Sequence, residues 1–217
     1  MFNTLKKSVA KFALKYVPKN AIIGIGSGST INYFIKELSK ISSSIRGVVP
    51  GSIRSEKKLR KHNIPIIDLN SLEHLDIYID SADKVNTSME MIKGAGGALT
   101  REKIISSVAK KFICIIDKSK YVRHFDCYSF PLEVIPMALR KISEEIIKLG
   151  GMPKYRENFI TDNGHCIIDI HNLYIKNSID LEKTLNNLPG IVSVGLFCIR
   201  KADLLLVSYA DQIKEIY

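Results

Sequence analysis

Up to about Lys120, short apolar runs end in glycine- or acid-rich turns and lead into segments with helical spacing. This pattern constrains the fold more than any other feature of the chain. Ala21–Ile25 enters a Gly/Ser turn, and Thr30–Ile41 then carries Ile31, Phe34, Ile35, Leu38 and Ile41 at helical intervals. Glu56–Lys61 belongs to a second, polar helix, and Pro65–Leu69 and His74–Asp80 read as strands. Thr100–Lys111 places Ile104, Ile105, Val108 and Ala109, with Phe112, on one helix face, and Phe112–Asp117 is the next strand. Strands alternating with helices in this way predict an α/β fold with a Rossmann-like parallel sheet.

Beyond Lys120 the rhythm changes. Phe130–Ile135 reads as a strand, and Ala138–Leu149 as a helix closed by Gly150–Gly151. Lys154–Ile160 and His165–His171 are strands divided by the turn Thr161-Asp162-Asn163-Gly164. Asp180–Asn187 is a helix ended by Pro189–Gly190, and Ile191–Ile199 a strand. The order β-α-β-β-α-β is that of a ferredoxin-like α+β unit. Asp203–Ser208 is a final strand that returns to the first domain. The expected layout is a main domain over 1–127 plus about 201–217, and a smaller one over 128–200.

With 217 residues, 46% apolar and 25% charged, the composition is that of a globular chain. No apolar run is long enough to cross a bilayer. The N-terminal MFNTLKKSVAKFALKYVP interleaves lysine with Leu5, Val9, Phe12, Ala13 and Tyr16, the spacing of an amphipathic helix packed on a core. An intracellular, cytoplasmic protein is expected, without membrane contact. Cys114, Cys127, Cys166 and Cys198 are scattered, and the five histidines form no ligand pair, so reduced thiols and no metal are expected. The net charge of +10 comes from lysines spread along the whole chain, with no arginine-rich block or aromatic-basic platform, which argues against nucleic acid.

Three clusters sit where strands end and helices begin, the place where open α/β sheets bind ligands. In Gly24-Ile25-Gly26-Ser27-Gly28-Ser29-Thr30 the third glycine of a dinucleotide loop is missing, and the next strand region ends Val49-Pro50-Gly51-Ser52 without an acid for a ribose. No Lys-Ser/Thr pair closes a Walker loop. A single phosphate, held by amides and by the hydroxyls of Ser27, Ser29 and Thr30, suits what remains; a tight structural turn is the competing reading. Asp80-Ser81-Ala82-Asp83 sets two carboxylates three apart on a turn, able to meet sugar hydroxyls or relay protons, or simply to cap the turn. In Lys93-Gly94-Ala95-Gly96-Gly97-Ala98-Leu99-Thr100-Arg101-Glu102-Lys103 a lysine, a glycine run and an acid near a helix start make a workable kit for aldose–ketose isomerisation. One carboxylate can carry a proton between two carbons while a cation faces the enediolate oxygen. A plain helix start, with Glu102 at its positive end, fits the same residues.

The segments GIGSGST, DSADK followed by MIKGAGGALTREKI, FICIIDKSK, LEVIPMA and ITDNG, in that order, resemble the signature segments of type A ribose-5-phosphate isomerases. The resemblance runs from near Ala21 to at least Phe197. It implies interconversion of ribose 5-phosphate and ribulose 5-phosphate through an enediolate, in the pentose phosphate pathway. It further implies no cofactor, no metal and a homodimer or higher oligomer such as a tetramer. By that resemblance Glu102 is the base, and Ser27, Gly28, Ser29, Thr30, Asp80, Ser81, Ala82, Asp83, Lys93, Gly94, Ala95, Gly96 and Lys120 bind substrate. Lys93 would stabilise the enediolate, and Asp83 with Asp80 would assist ring opening. Four positions depart from the family pattern: Ser27 for threonine, Ser81 for glycine, Lys84 for glutamate and Ala95 for glycine. Ser81 would be strained if its turn required positive φ. None removes Glu102, Lys93 or either aspartate, so retained activity is expected. A non-catalytic sugar-phosphate-binding regulator would need a DNA-binding helix-turn-helix, for which the short N-terminal helix leaves no room. A sugar-phosphate deaminase or CoA transferase is disfavoured by the KGAGGALTREK segment.

Overall fold

The computed structural model describes residues 2–125 and 128–217, so Cys127 lies outside the described residues. In chain order the elements are α1 (Phe2–Ala13), β1 (Ile22–Ile25), α2 (Ser29–Leu38), β2 (Gly47–Pro50), α3 (Ile53–Lys61), β3 (Leu75–Asp80), β4 (Lys84–Val85), β5 (Met91–Ile92) and α4 (Leu99–Val108). Then follow β6 (Ala109–Asp117), β7 (Phe130–Val134), α5 (Leu139–Lys148), β8 (Met152–Tyr155), β9 (Cys166–His171), α6 (Ser178–Asn186), β10 (Ile191–Val194), β11 (Leu196–Phe197), β12 (Leu204–Ser208) and β13 (Ile213–Ile216). They divide into two compact units: Met1–Ala82, Ile104–Tyr121 and Ala202–Tyr217 form the first, Asp83–Lys103 and Val122–Lys201 the second.

The first unit is built on a six-stranded sheet of order β13-β12-β6-β3-β1-β2, parallel except for the β12–β13 pair. β1 (IIGI) and β12 (LLLVS) are buried along their whole length, as expected of parallel strands covered on both faces. α1 turns Leu5, Val9, Ala10 and Ala13 inward, and α2 buries Ile31, Phe34, Ile35 and Leu38, the stripe read from its sequence. Because β2 and β3 flank β1 on opposite sides, the chain order reverses at β1–β3. The loops after these two strands therefore leave the sheet at its topological switch point.

The second unit contains β7-α5-β8-β9-α6-β10 with antiparallel sheet order β10-β7-β9-β8, the ferredoxin-like arrangement. Phe130, Leu132, Val134, Ile168 and Ile170 face Ile142 and Ile146 of α5 and Leu185 of α6 in its core. A small sheet, β11-β5-β4, completes the unit and delivers Lys93 from the end of β5.

Several local expectations change. Pro65–Leu69 is not a strand: Ile66 makes one isolated bridge to Val48, and the Asp68 carboxylate accepts from Asn70 N at 2.9 Å to close a short turn. The helix expected over Thr100–Lys111 stops at Val108, because Ala109 and Lys111 are taken into the ladder opposite Leu75 and Ile77. Ile104 and Val108, expected on its buried face, are exposed. The strand expected over Lys154–Ile160 is Met152–Tyr155; Arg156 N still donates to the Ile167 carbonyl at 2.9 Å, and Asn158 then has φ +53°. Ile191–Ile199 is two strands in two sheets, broken at Gly195. A Cβ there would lie 2.6 Å from the Lys93 carbonyl oxygen and 2.8 Å from that of Pro131, so only glycine allows both close approaches.

Candidate active site

In the first unit, Asp80 is the organising residue. Its carboxylate accepts from Ser27 N at 3.0 Å, from Ser81 N at 2.7 Å and from the Tyr78 hydroxyl. Asp80 has no exposed surface. The carboxylate sits so close to the loop that a Cβ on Gly26 would lie 1.8 Å from its carbon, which is why the loop needs glycine there. Asp80 thus shapes the Gly26–Thr30 loop from below.

That loop delivers the start of α2. Gly28 is the N-cap and supplies no capping side chain, whereas Ser52 caps α3 and Asn177 caps α6. An uncapped helix start leaves amide donors and the positive end of the dipole for an anion. Ser29 is exposed, and Lys6 Nζ donates to its Oγ at 3.0 Å. Thr30 is fully buried, and its Oγ1 has no hydrogen-bond partner. At the turn after β3, Lys120 Nζ donates to the Ala82 carbonyl at 2.5 Å, held there by a turn that the Asp117 carboxylate closes on Ser119 N at 3.0 Å. Ser81 does not adopt positive φ and contacts the Ser27 carbonyl at 3.4 Å through its hydroxyl. The departure from glycine is therefore unstrained.

In the second unit, Lys93 and Glu102 form a buried ion pair, Nζ to Oε2 at 3.2 Å, with side-chain exposures of 2% and 4%. Lys93 Nζ also lies 5.4 Å above the Phe197 ring, a cation–π distance. Between them the Gly94–Gly97 turn closes with Gly97 N donating to Gly94 O at 2.9 Å. Ala95 is exposed and has no positive φ, so its methyl is accommodated without strain. Its N–H donates to Asp83 Oδ2 at 2.9 Å, and its carbonyl accepts from Arg156 Nη1 at 3.0 Å. Arg156 is itself forked onto Asp169, at 2.9 Å and 2.5 Å. Asp83, Ala95, Arg156 and Tyr128 are among the residues lining an open cavity of about 410 Å³ in this unit. Lys84, another departure, places its ammonium 4.6 Å from the Tyr128 ring centre. Lys103, next to Glu102, is bonded to Glu182 and to the Leu196 carbonyl at 2.6 Å. Burial holds its pKa below the ordinary lysine value, although Glu182 pulls the other way.

The residues picked out in sequence thus fall into two groups. Ser27–Thr30, Asp80–Ala82 and Lys120 assemble in the first unit; Asp83, Lys93–Gly96 and Glu102 in the second. Sequence reasoning missed three contributors. Lys6 is one lysine among several on α1, and nothing in its pattern separates it from Lys7 or Lys11. Tyr78 was findable: it stands two residues before Asp80 on a strand, hence on the same face. Arg156 was hidden inside a segment read as strand. Among the described residues no cluster of three or more His, Cys, Asp or Glu could hold a metal, and no helix is long and apolar enough to cross a membrane.

The first unit thus carries an uncapped helix start on a glycine loop, suited to an anion, and the second a buried carboxylate–ammonium pair, suited to moving a proton. Comparison with known proteins narrows this reading. The family model of ribose 5-phosphate isomerase A (phosphoriboisomerase A) matches residues 47–212. The ribose-5-phosphate isomerase A of Blochmanniella pennsylvanica is 52% identical over 214 residues, spanning 99% of this chain and 98% of the relative. The crystal structure of ribose 5-phosphate isomerase A from Neisseria gonorrhoeae superimposes with a TM-score of 0.98 at 39% identity, over 100% of this chain and 97% of that one. A D-ribose-5-phosphate isomerase in complex with phospho-erythronic acid gives a TM-score of 0.94 at 35% identity, over 100% and 99%. The chain belongs to the ribose 5-phosphate isomerase A family.

Proposed function

We propose that this chain interconverts D-ribose 5-phosphate and D-ribulose 5-phosphate by proton transfer through an enediolate, in the non-oxidative pentose phosphate pathway and without a cofactor. The observation that carries this reading is the buried Lys93–Glu102 pair. Glu102 takes the proton from C2 of the open-chain aldose as the C1 carbonyl oxygen gains negative charge, and returns it to C1 of the enediolate. The Lys93 ammonium meets the developing charge in a site shielded from water, where such a contact is strongest. Ser27, Gly28, Ser29 and Thr30, joined by Lys6, hold the phosphate. Asp83, Ser81, Ala82, Lys120 and Gly94–Gly96 bind the sugar and Asp83 assists ring opening, whereas Asp80, expected beside it, acts from beneath by holding the Gly26–Thr30 loop. Phospho-erythronic acid, bound by a relative, supports the reading, since a phosphorylated sugar acid carries a planar anionic group where an enediolate would.

The enzyme acts in the cytoplasm as a homodimer, with residues 128–200 in the subunit contact. Exposed Met137, Ile147, Met152, Tyr155, Ile160 and Tyr174 support that assignment. Sedimentation analysis tests it; a monomer would sink it, and a tetramer would extend it. The activity is tested by assaying ribose 5-phosphate conversion by wild type and Glu102→Gln. Wild type should turn over, and the variant should be slower by about 10²–10⁴-fold. Equal rates would remove Glu102 from the mechanism, and an inactive wild type would remove the isomerase reading.

A further inference from the structure

Two of the segments singled out in sequence, LEVIPMA and ITDNG, take no part in the chemistry above, yet they meet at one buried carboxylate. Glu133, on β7, has no exposed surface. Its Oε1 accepts from Thr161 Oγ1 at 2.7 Å and Asn163 Nδ2 at 3.0 Å, and lies 3.0 Å from His165 Nδ1. Its Oε2 accepts from Thr100 Oγ1 at 2.5 Å. A carboxylate has about four acceptor positions, and a buried one is costly unless they are filled; here four partners surround it.

Thr100 lies in the first turn of α4, two residues before Glu102. The neighbouring Arg101 is tied to the same ITDNG loop, through Nε to Asn163 Oδ1 and Nη2 to the Asp162 carbonyl, both at 3.0 Å. The loop is folded around Thr161, whose Oγ1 accepts from Asn163 N at 3.2 Å and His165 N at 3.1 Å. On the other flank, Lys103 is fixed by Glu182. Each residue adjoining Glu102, and Thr100 one step further, is therefore pinned by elements of its own unit.

We propose that Glu133 is a positioning residue for the isomerisation: through the Thr100 hydroxyl it fixes the rotation of the first turn of α4, and with it the direction in which Glu102 points. The ITDNG loop serves as the scaffold that keeps the Glu133 carboxylate buried and correctly oriented. An aliphatic residue at 133 would fill the sheet face but leave Thr100 without its partner. This inference rests on Glu102 as the base, because misplacing a reacting group by about 1 Å can cost about 10²-fold in rate.

The test is steady-state kinetics and thermal melting of wild type, Glu102→Gln, Thr100→Val, Thr100→Ser and Thr161→Val with ribose 5-phosphate. Thr100→Val keeps the shape of the side chain and removes its hydroxyl. It should lower kcat at least about tenfold with KM within about twofold, and Thr100→Ser should restore kcat to within about threefold of wild type. Thr161→Val removes a hydroxyl from the same carboxylate on the side away from α4. It should lower the melting temperature as much as Thr100→Val with a smaller loss of kcat. Should valine at 100 prevent folding, Thr100→Ala takes its place with the same expectation. Wild-type kcat in the variant lacking the Thr100 hydroxyl, failure of serine to rescue, or kcat losses at 100 and 161 that simply follow the melting temperatures would overturn the inference while leaving the isomerase reading intact. Glu102→Gln as fast as wild type would overturn both.

Discussion

Replacing Lys93 and Glu102 singly and together by methionine separates what their ion pair does for stability from what it does for chemistry. Both side chains are almost wholly buried and their charged atoms are 3.2 Å apart. Removing one partner breaks the buried pair, which costs about 3–5 kcal/mol. At about 2–4 °C per kcal/mol for a chain of this size, each single variant should melt about 6–20 °C below wild type. Methionine approximates the volume of either residue, so the double variant replaces a buried pair by apolar packing of similar bulk. Such replacements are neutral or favourable, and the double variant should return to within about 1 kcal/mol of wild type or exceed it. Activity should not return. On the proposed role of Glu102 as base, kcat should stay down by about 10²–10⁴-fold in both variants lacking Glu102. The assays are thermal or urea melting and ribose 5-phosphate turnover on the same preparations. A double variant whose destabilisation equals the sum of the two singles would refute the coupling, and one that turns over normally would refute the role of Glu102.

Lys6→Ala should raise KM for ribose 5-phosphate about tenfold with little change in kcat, since a charge-assisted hydrogen bond near the phosphate loop is lost. An unchanged KM would detach Lys6 from the site. The Cys198 thiol is pushed up to about 12, chiefly by burial, from an ordinary value of 9.0. Because the folded pKa is raised, the native state keeps a proton that the unfolded chain releases. The corresponding stability is complete below about pH 9 and is lost as pH climbs towards 12, with a slope of at most about 1.4 kcal/mol per pH unit. Cys198→Ala should flatten that part of the alkaline stability profile; identical slopes in denaturant titrations of the two proteins would show that the thiol contributes nothing.

The parallel sheet was legible because β1, β12 and the Phe112–Ile116 stretch of β6 are nearly unbroken apolar runs, and a strand buried on both faces cannot look otherwise. The ferredoxin-like unit was legible from element order and glycine punctuation. What failed to show was whatever depends on distant residues. The break at Gly195 is dictated by Pro131 and Lys93, and no window around position 195 contains them. β13, with the sequence IKEI at a sheet edge, has too few apolar residues to announce itself. Within the site, Lys93 and Glu102 were picked out as a chemical pair and the structure places them in contact. Asp80 was read as a residue facing the substrate, and its hydrogen bonds to Ser27, Tyr78 and Ser81 could not be seen in sequence. Lys6 escaped because a lysine beside a buried stripe looks alike at every turn of an amphipathic helix.

The junction at Gly195 also sets a timetable for synthesis. Lys93 N–H donates to the Gly195 carbonyl at 2.9 Å, and β5 pairs with Leu196 and Phe197, whose ring lies against the Lys93 ammonium. A nascent chain that has emerged only as far as Glu102 holds both side chains but lacks the strand that packs on Lys93. Their burial must wait until roughly a hundred further residues have left the ribosome, by which stage nearly all of the second unit is available to fold. The Lys93–Glu102 pair is thus among the last parts of its unit to close, and an unfinished chain carries both charged side chains without their enclosure.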